Sequence, residues 1–164
     1  MSGSMTRRAL AGPLAAVLAL AFLDQVVKRI FEGALEPRVP VQVFGPLHWF
    51  LTENPGIAFS QLAFLGAQGL SLLATLILGV VMILWWRTPP AHRFARWGFV
   101  LIAGGAVGNL IDRVVLGHVV DYVLLMRGDW SFAVFNLADS FITVGAIMFL
   151  ADEFLGWGRR KAAA

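Results

Sequence analysis

The chain has no cysteine among its 164 residues, which rules out disulfides, thiolate nucleophiles and cysteine metal sites. Charge is also scarce: 14% of residues are charged, where a soluble domain carries about 25%. Hydrophobic residues make up 59%, so the expected class is an integral membrane protein. No linker is long or polar enough to divide the chain, and one domain over 1–164 is the economical reading. Histidines number only 3 and stand apart; His48 has no second ligand at metal spacing. A basic stripe is missing too. Arg and Lys cluster near the ends of apolar runs, which suits membrane topology and argues against nucleic-acid binding.

What is present divides into four apolar segments, expected as spans near 9–28, 60–86, 95–113 and 136–156. Within residues 1–5, the leading residues read as an expression scar and Met5 as the native start. Arg7 and Arg8 then precede an uncharged run from Ala9 to Leu23. A secretory signal peptide is the rival reading there, with Ala19-Leu20-Ala21 as a passable cleavage site. Against it, the helical pattern continues through Asp24 and Lys28, which fall one turn apart on one face and can partly neutralise each other. Leu62 to Trp86 is wholly uncharged and exceeds the about 20 residues a crossing needs. Trp85 and Trp86 close it as interfacial anchors, as Trp157 with Arg159, Arg160 and Lys161 closes the chain.

Two segments are expected outside the bilayer, near 32–55 and 114–135. In the first, Pro37, Pro40, Gly45, Pro46 and Pro55 interrupt helix, while Val39, Val41 and Val43 alternate with a two-residue period. His48, Phe50 and Thr52 continue beyond Gly45-Pro46, so two short strands are expected. Thr52 to Ser60, TENPGIAFS, reads as a turn leading into a helix. The second segment, Val114 to Trp130, is expected as a loop or helix forming a lid. The fold class is therefore an all-α membrane protein of four transmembrane helices with a small extracytoplasmic β element and a lid.

Polar residues then concentrate where apolar ones are expected, between Gly104 and Thr143. GGAVGNLIDR, VVDY and FNLADS contribute Asn109, Asp112, Arg113, Asp121, Asn136 and Asp139. Ionisable groups in such positions are costly and mark function by default. Gly104 and Gly108, four apart, allow close approach of another helix or a substrate chain. Counting from Trp97 at 1.5 Å per residue puts Asp112 roughly 6 Å short of the membrane exit. Counting back from Asp152 puts Asp139 about 10 Å inside the nominal core. Asn136 can equally cap the last helix, with Asp139 in the first turn where the helix dipole favours an anion.

Most of the 13 Lys and Arg fall at the amino terminus, after the second span and at the carboxyl terminus. The positive-inside rule then places both termini in the cytoplasm and the aspartates at the outer ends of the spans. Two carboxylates in a low-dielectric site do not both ionise easily; one holds a proton while the other acts as a base toward water. Asp121 and Asp139 are the expected pair, with Arg113, Asn109 and Asn136 as supports. A small proton- or ion-coupled transporter using these carboxylates is the alternative, although no internal repeat accompanies it. An assembly subunit with purely structural aspartates is another.

The chain resembles the lipoprotein signal peptidase family, or signal peptidase II, of bacterial inner membranes over essentially its whole length after Met5. The resemblance is carried by the Asp24-Gln25 to Lys28 segment, the Asn54 to Ser60 segment, and GGAVGNLIDR, VVDY and FNLADS with their spacing. It implies that Asp121 and Asp139 form a catalytic dyad of an aspartic endopeptidase. Asp24, Lys28, Asn54, Gly108, Asn109, Asp112, Arg113, Asn136 and Ala138 would support the site or contact substrate. Ile57 and Tyr122 stand where other members often carry different residues of similar character. The implied reaction hydrolyses the bond before a diacylglyceryl-modified cysteine in a lipoprotein precursor, without metal or organic cofactor. Expected partners are lipid-modified prolipoproteins and membrane lipids, with no nucleic acid, and the protein is expected as a monomer.

Overall fold

The computed structural model describes residues 2–56, 66–132 and 134–156. Its elements run α1 (Ser2–Ala34), β1 (Val41–Phe44), β2 (Leu47–Asn54), α2 (Gly66–Arg87), α3 (Arg93–Val115), β3 (Val119–Arg127), β4 (Trp130–Ser131) and α4 (Leu137–Leu155). Among the described residues, three segments are long and apolar enough to cross a membrane: Leu10–Ala34, Gln68–Arg87 and Arg93–Val115. Helix α4 has 19 residues, with Asp139 near one end and Asp152 and Glu153 near the other. The helix start expected within 57–65, including Ile57 and Ser60, lies outside the described residues, as do Trp157, Arg159, Arg160 and Lys161.

Burial runs opposite to that of a soluble domain. Leu14, Leu18 and Phe22 on α1, Leu72, Leu76 and Ile83 on α2, and Ile147, Leu150 and Phe154 on α4 are exposed. Asp24, Lys28, Asn109, Asp112, Asp121 and Asn136 are buried. An apolar exterior around a polar interior is what a hydrocarbon solvent selects. The apolar core that does exist gathers Val17, Val81, Trp85, Ala95, Phe99, Val100 and Ala103 from α1, α2 and α3. Arg96 closes this half by donating to the carbonyls of Trp85 and Thr88, with its guanidinium 4.0 Å from the Trp85 ring centre.

Glycines set the helix spacing. A Cβ on Gly104 would lie 2.7 Å from Leu20 Cβ, and one on Gly108 would lie 2.6 Å from Asp24 Oδ2. Lys28 meets Asp112 one turn further on. These pairs climb both helices by four residues at each step, so α1 and α3 run parallel in fixed register. The expected close approach at Gly104 and Gly108 is thus to α1. Helix α4 runs antiparallel to α3 on the other side, where a Cβ on Gly98 would lie 2.6 Å from the Gly145 carbonyl oxygen and one on Gly105 would meet the Ala138 carbonyl.

The expected small β element is present as a four-stranded sheet. Its order is β1-β2-β3-β4, every pair antiparallel. The two strands anticipated in 32–55 are β1 and β2, although α1 continues through Glu32 to Ala34 before them. Val119 to Arg127, expected within a loop or helix lid, is instead β3, pairing Thr52 with Asp121 and Asn54 with Val119. Its near-continuous run of Val, Tyr and Leu suits a strand buried along its first half. Asp121 and the following Arg127-Gly128-Asp129 disguise that run as a polar connection.

Candidate active site

Five elements converge on one end of the bundle: the C-terminal parts of α1 and α3, the start of α4, and strands β2 and β3. Asp24 and Lys28, one turn apart on α1, form the anticipated ion pair at 2.8 Å. Lys28 also pairs with Asp112 Oδ2 at 2.7 Å and donates to Asn109 Oδ1 at 2.9 Å. An ammonium has three protons and no acceptor, so three oxygens from two helices enclose it. Such a buried cluster is strongly destabilised by removal of one partner, which leaves the others uncompensated.

Asp112 faces outward from this cluster to the sheet and to α1. Val120 N–H donates to its Oδ2 at 3.1 Å, and Gln25 Nε2 donates to its Oδ1 at 2.7 Å. Gln25 also reaches the Gly108 carbonyl at 3.2 Å. Arg113, half-buried, reaches the Asn109 carbonyl at 3.5 Å, a long contact consistent with their shared helix face.

The start of α4 has the capping box foreseen from Asn136 and Asp139. Asn136 Oδ1 accepts from Asp139 N–H at 2.9 Å, and Asp139 Oδ2 accepts from Asn136 N–H at 3.1 Å. This reciprocal arrangement satisfies donors that a helix start leaves free. Ala138 N–H is taken by Asp24 Oδ1 at 2.9 Å, and Ala138 itself is fully buried.

Asp121 and Asp139 come from different elements and are linked through asparagines. Asp121 Oδ1 accepts from Asn136 Nδ2 at 2.7 Å and its Oδ2 from Asn54 Nδ2 at 2.8 Å. Asp139 Oδ1 accepts from Asn109 Nδ2 at 2.8 Å. Every oxygen of the two carboxyl groups therefore receives an N–H. The orientation of each amide follows from its other end, since Asn54 Oδ1 accepts from Gly56 N–H at 2.9 Å, Asn109 Oδ1 from Lys28 and Asn136 Oδ1 from Asp139 N–H. An oxygen occupied by an obligate donor leaves only NH2 to face the carboxylate.

Asp121 is almost wholly buried on β3. Burial pushes its carboxyl up to about 7, assisted by the negative charge of Asp139 and opposed by the hydrogen bonds from Asn54 and Asn136 and by Lys28. A carboxyl group so placed can carry a proton near neutral pH, while Asp139 sits where the dipole of α4 favours negative charge.

All the residues singled out in the sequence gather here: Asp24, Lys28, Asn54, Gly108, Asn109, Asp112, Arg113, Asp121, Asn136, Ala138 and Asp139. Two further polar contributors, Gln25 and Tyr122, were given no role in the site by the sequence. Gln25 lies between two noted residues, and its distance of one helical turn from Lys28 carries no signal of contact with Asp112. Tyr122 follows Asp121, and only recognition of β3 as a strand would have assigned it the opposite face. At the far end of the bundle, His92 Nδ1 lies 2.8 Å from the buried Asp152 Oδ2 and is separate from this site.

The family model described as signal peptidase (SPase) II matches residues 16–155. Lipoprotein signal peptidases of Brucella ovis and Brucella abortus are each 46% identical over 157 residues, covering 96% of this chain and 98% of theirs. A bacterial membrane enzyme solved by the in meso method at 1.9 Å has a TM-score of 0.73 at 24% identity, over 87% of this chain and 92% of its own. A related structure at 2.3 Å has a TM-score of 0.72, again at 24% identity, covering 87% of each chain. These two structures share the fold.

Proposed function

This chain belongs to the signal peptidase II family, and we propose that it is a membrane-embedded aspartic endopeptidase that removes signal peptides from diacylglyceryl-modified prolipoproteins. The bond cut is the one just before the lipidated cysteine. One observation carries the aspartic mechanism: Asp121 and Asp139, from different elements, bind to the same Asn136 while asparagine amides and a backbone N–H occupy their oxygens. Family membership carries the substrate class.

In the proposed reaction Asp121 starts protonated and Asp139 ionised. Water attacks the scissile carbonyl carbon, giving one proton to Asp139 while Asp121 protonates the carbonyl oxygen. The tetrahedral diol then collapses. Asp139 returns its proton to the departing amide nitrogen, the C–N bond breaks, and one diol hydroxyl returns its proton to Asp121. Both carboxyl groups end as they began. Neither metal nor organic cofactor is required by this sequence of proton transfers.

The proposed setting is the bacterial inner membrane, with four crossings and both termini in the cytoplasm. Helix α4 would be the fourth crossing, since its 19 residues span about 28 Å at 1.5 Å each. The aspartates then lie at the periplasmic end, where a lipid-anchored substrate can arrive laterally. A monomer suffices, because both carboxyl groups and their donors come from one chain. Cleavage in liposomes of a precursor with and without its diacylglyceryl group tests this reading. Cutting of the lipidated form alone is expected; no cutting of either form would overturn it.

A further inference from the structure

The first three main-chain N–H groups of α4 are each met by a different side chain. Asn136 takes that of Asp139 within the cap, and Asp24 of α1 takes that of Ala138. The third, on Leu137, donates to the hydroxyl of Tyr122 on β3 at 3.0 Å. A helix start has no internal partners for these groups, and a buried N–H left unmet is costly. The contact therefore belongs to the same docking system that places Asp139.

Tyr122 is itself held from several sides. Its ring stacks on Phe31 of α1, centres 4.1 Å apart and planes within 12°, and Phe31 meets Trp49 of β2 at 4.8 Å. Its own N–H donates to the Phe135 carbonyl at 3.1 Å. Burial raises the phenol further above its ordinary range, so the group is a neutral hydroxyl. The preceding residue, Asp121, accepts from Asn136. Adjacent residues of β3 thus grip the cap and the first residue of α4.

We propose that Tyr122 is a positioning residue for the reaction: by holding Leu137 N–H, its hydroxyl sets the first turn of α4 and so the placement of Asp139 relative to Asp121. The inference rests on the dyad reading above. The hydroxyl acts through the helix and has no proton to transfer in the mechanism.

Two substitutions remove opposite ends of this hydrogen bond. Tyr122→Phe deletes the oxygen and keeps the ring on Phe31. Leu137→Pro deletes the N–H; proline suits the first position of a helix, and Asn136, at φ −134° and ψ −175°, already has the extended backbone that precedes proline. Leu137→Ala controls for the side chain. Each of the first two is expected to lower kcat about tenfold with KM within about twofold, because displacement of a reacting group slows chemistry without weakening substrate binding. The double variant should be no slower than the slower single one. Hydrogen exchange at the amides of residues 138–140 should accelerate in Tyr122→Phe, a readout that needs no substrate. Wild-type kcat in Tyr122→Phe, or losses that multiply in the double variant, would overturn the proposal. A wild-type protein that cuts no precursor would overturn the peptidase reading instead, and unchanged exchange in Tyr122→Phe would then still overturn the positioning role.

Discussion

Lys28 on α1 donates to Asn109 Oδ1 on α3 at 2.9 Å and, together with Asn136 Nδ2 at 3.1 Å on the same oxygen, leaves the amide NH2 to meet Asp139. A cation remote from the proposed proton transfers therefore helps to orient a donor at the dyad. The same ammonium neutralises Asp24 and Asp112, so electrostatic support and amide orientation have a common origin.

Lys28→Met removes the cation and leaves two buried carboxyl groups without it. A loss of about 3–5 kcal/mol in stability is expected, the range for breaking a buried pair from one side. Thermal unfolding in detergent measures it. Any folded fraction should also cleave precursor slowly, since Asn109 Oδ1 then keeps only the Asn136 donor and the amide that faces Asp139 is held less firmly.

Asp121→Asn and Asp139→Asn preserve shape and remove the proposed acid and base. Each should reduce kcat by about 10²–10⁴ while the protein remains folded in detergent. Near-normal turnover in either folded variant would reject that residue's role and turn attention to Asp112.

The pH dependence has a defined sign. Asp121 is held at about 7 by burial, so activity should fall as pH rises through that value and the acid loses its proton. The Asn54 donor favours the ionised form, opposing that shift. Asn54→Ala should therefore move the alkaline limb of the pH–rate profile to higher pH; movement to lower pH would contradict the assignment. For stability, the raised carboxyl contributes most below the unfolded value of about 3.9, and that contribution declines as pH rises through about 7.

Glycine replacements should divide by location. Gly108→Ala would place a Cβ 2.6 Å from Asp24 Oδ2, inside the ion cluster, and should cost about 1–3 kcal/mol together with activity. Gly33→Ala meets nothing within 4 Å and lies in the last turn of α1, so it should be neutral or stabilise by up to about 1 kcal/mol. Unfolding midpoints of the two variants side by side provide the check.

Features legible in the sequence are those written within one or two helical turns. Long uncharged runs identify apolar helices because transfer into hydrocarbon depends on local composition. Asp24 with Lys28 and Asn136 with Asp139 are pairs at helix spacing, and both contacts form as that spacing predicts. The alternating valines and paired turn residues of 39–54 likewise announce β1 and β2. The motif glycines foretell close approach, though not which neighbour approaches.

Tertiary structure decided the rest. A strand exists only through its partner, and β3 finds β2 some seventy residues away in sequence, so Val119 to Arg127 has no local periodicity that separates it from a loop. The contacts of Lys28 with Asn109, Asn136 with Asp121, and Tyr122 with Leu137 bridge separate elements. Sequence alone determined a membrane chain with costly aspartates and the family motif that holds them. Packing decided which aspartates share donors, because hydrogen-bond direction and burial arise only when α1, α3, β3 and the start of α4 meet.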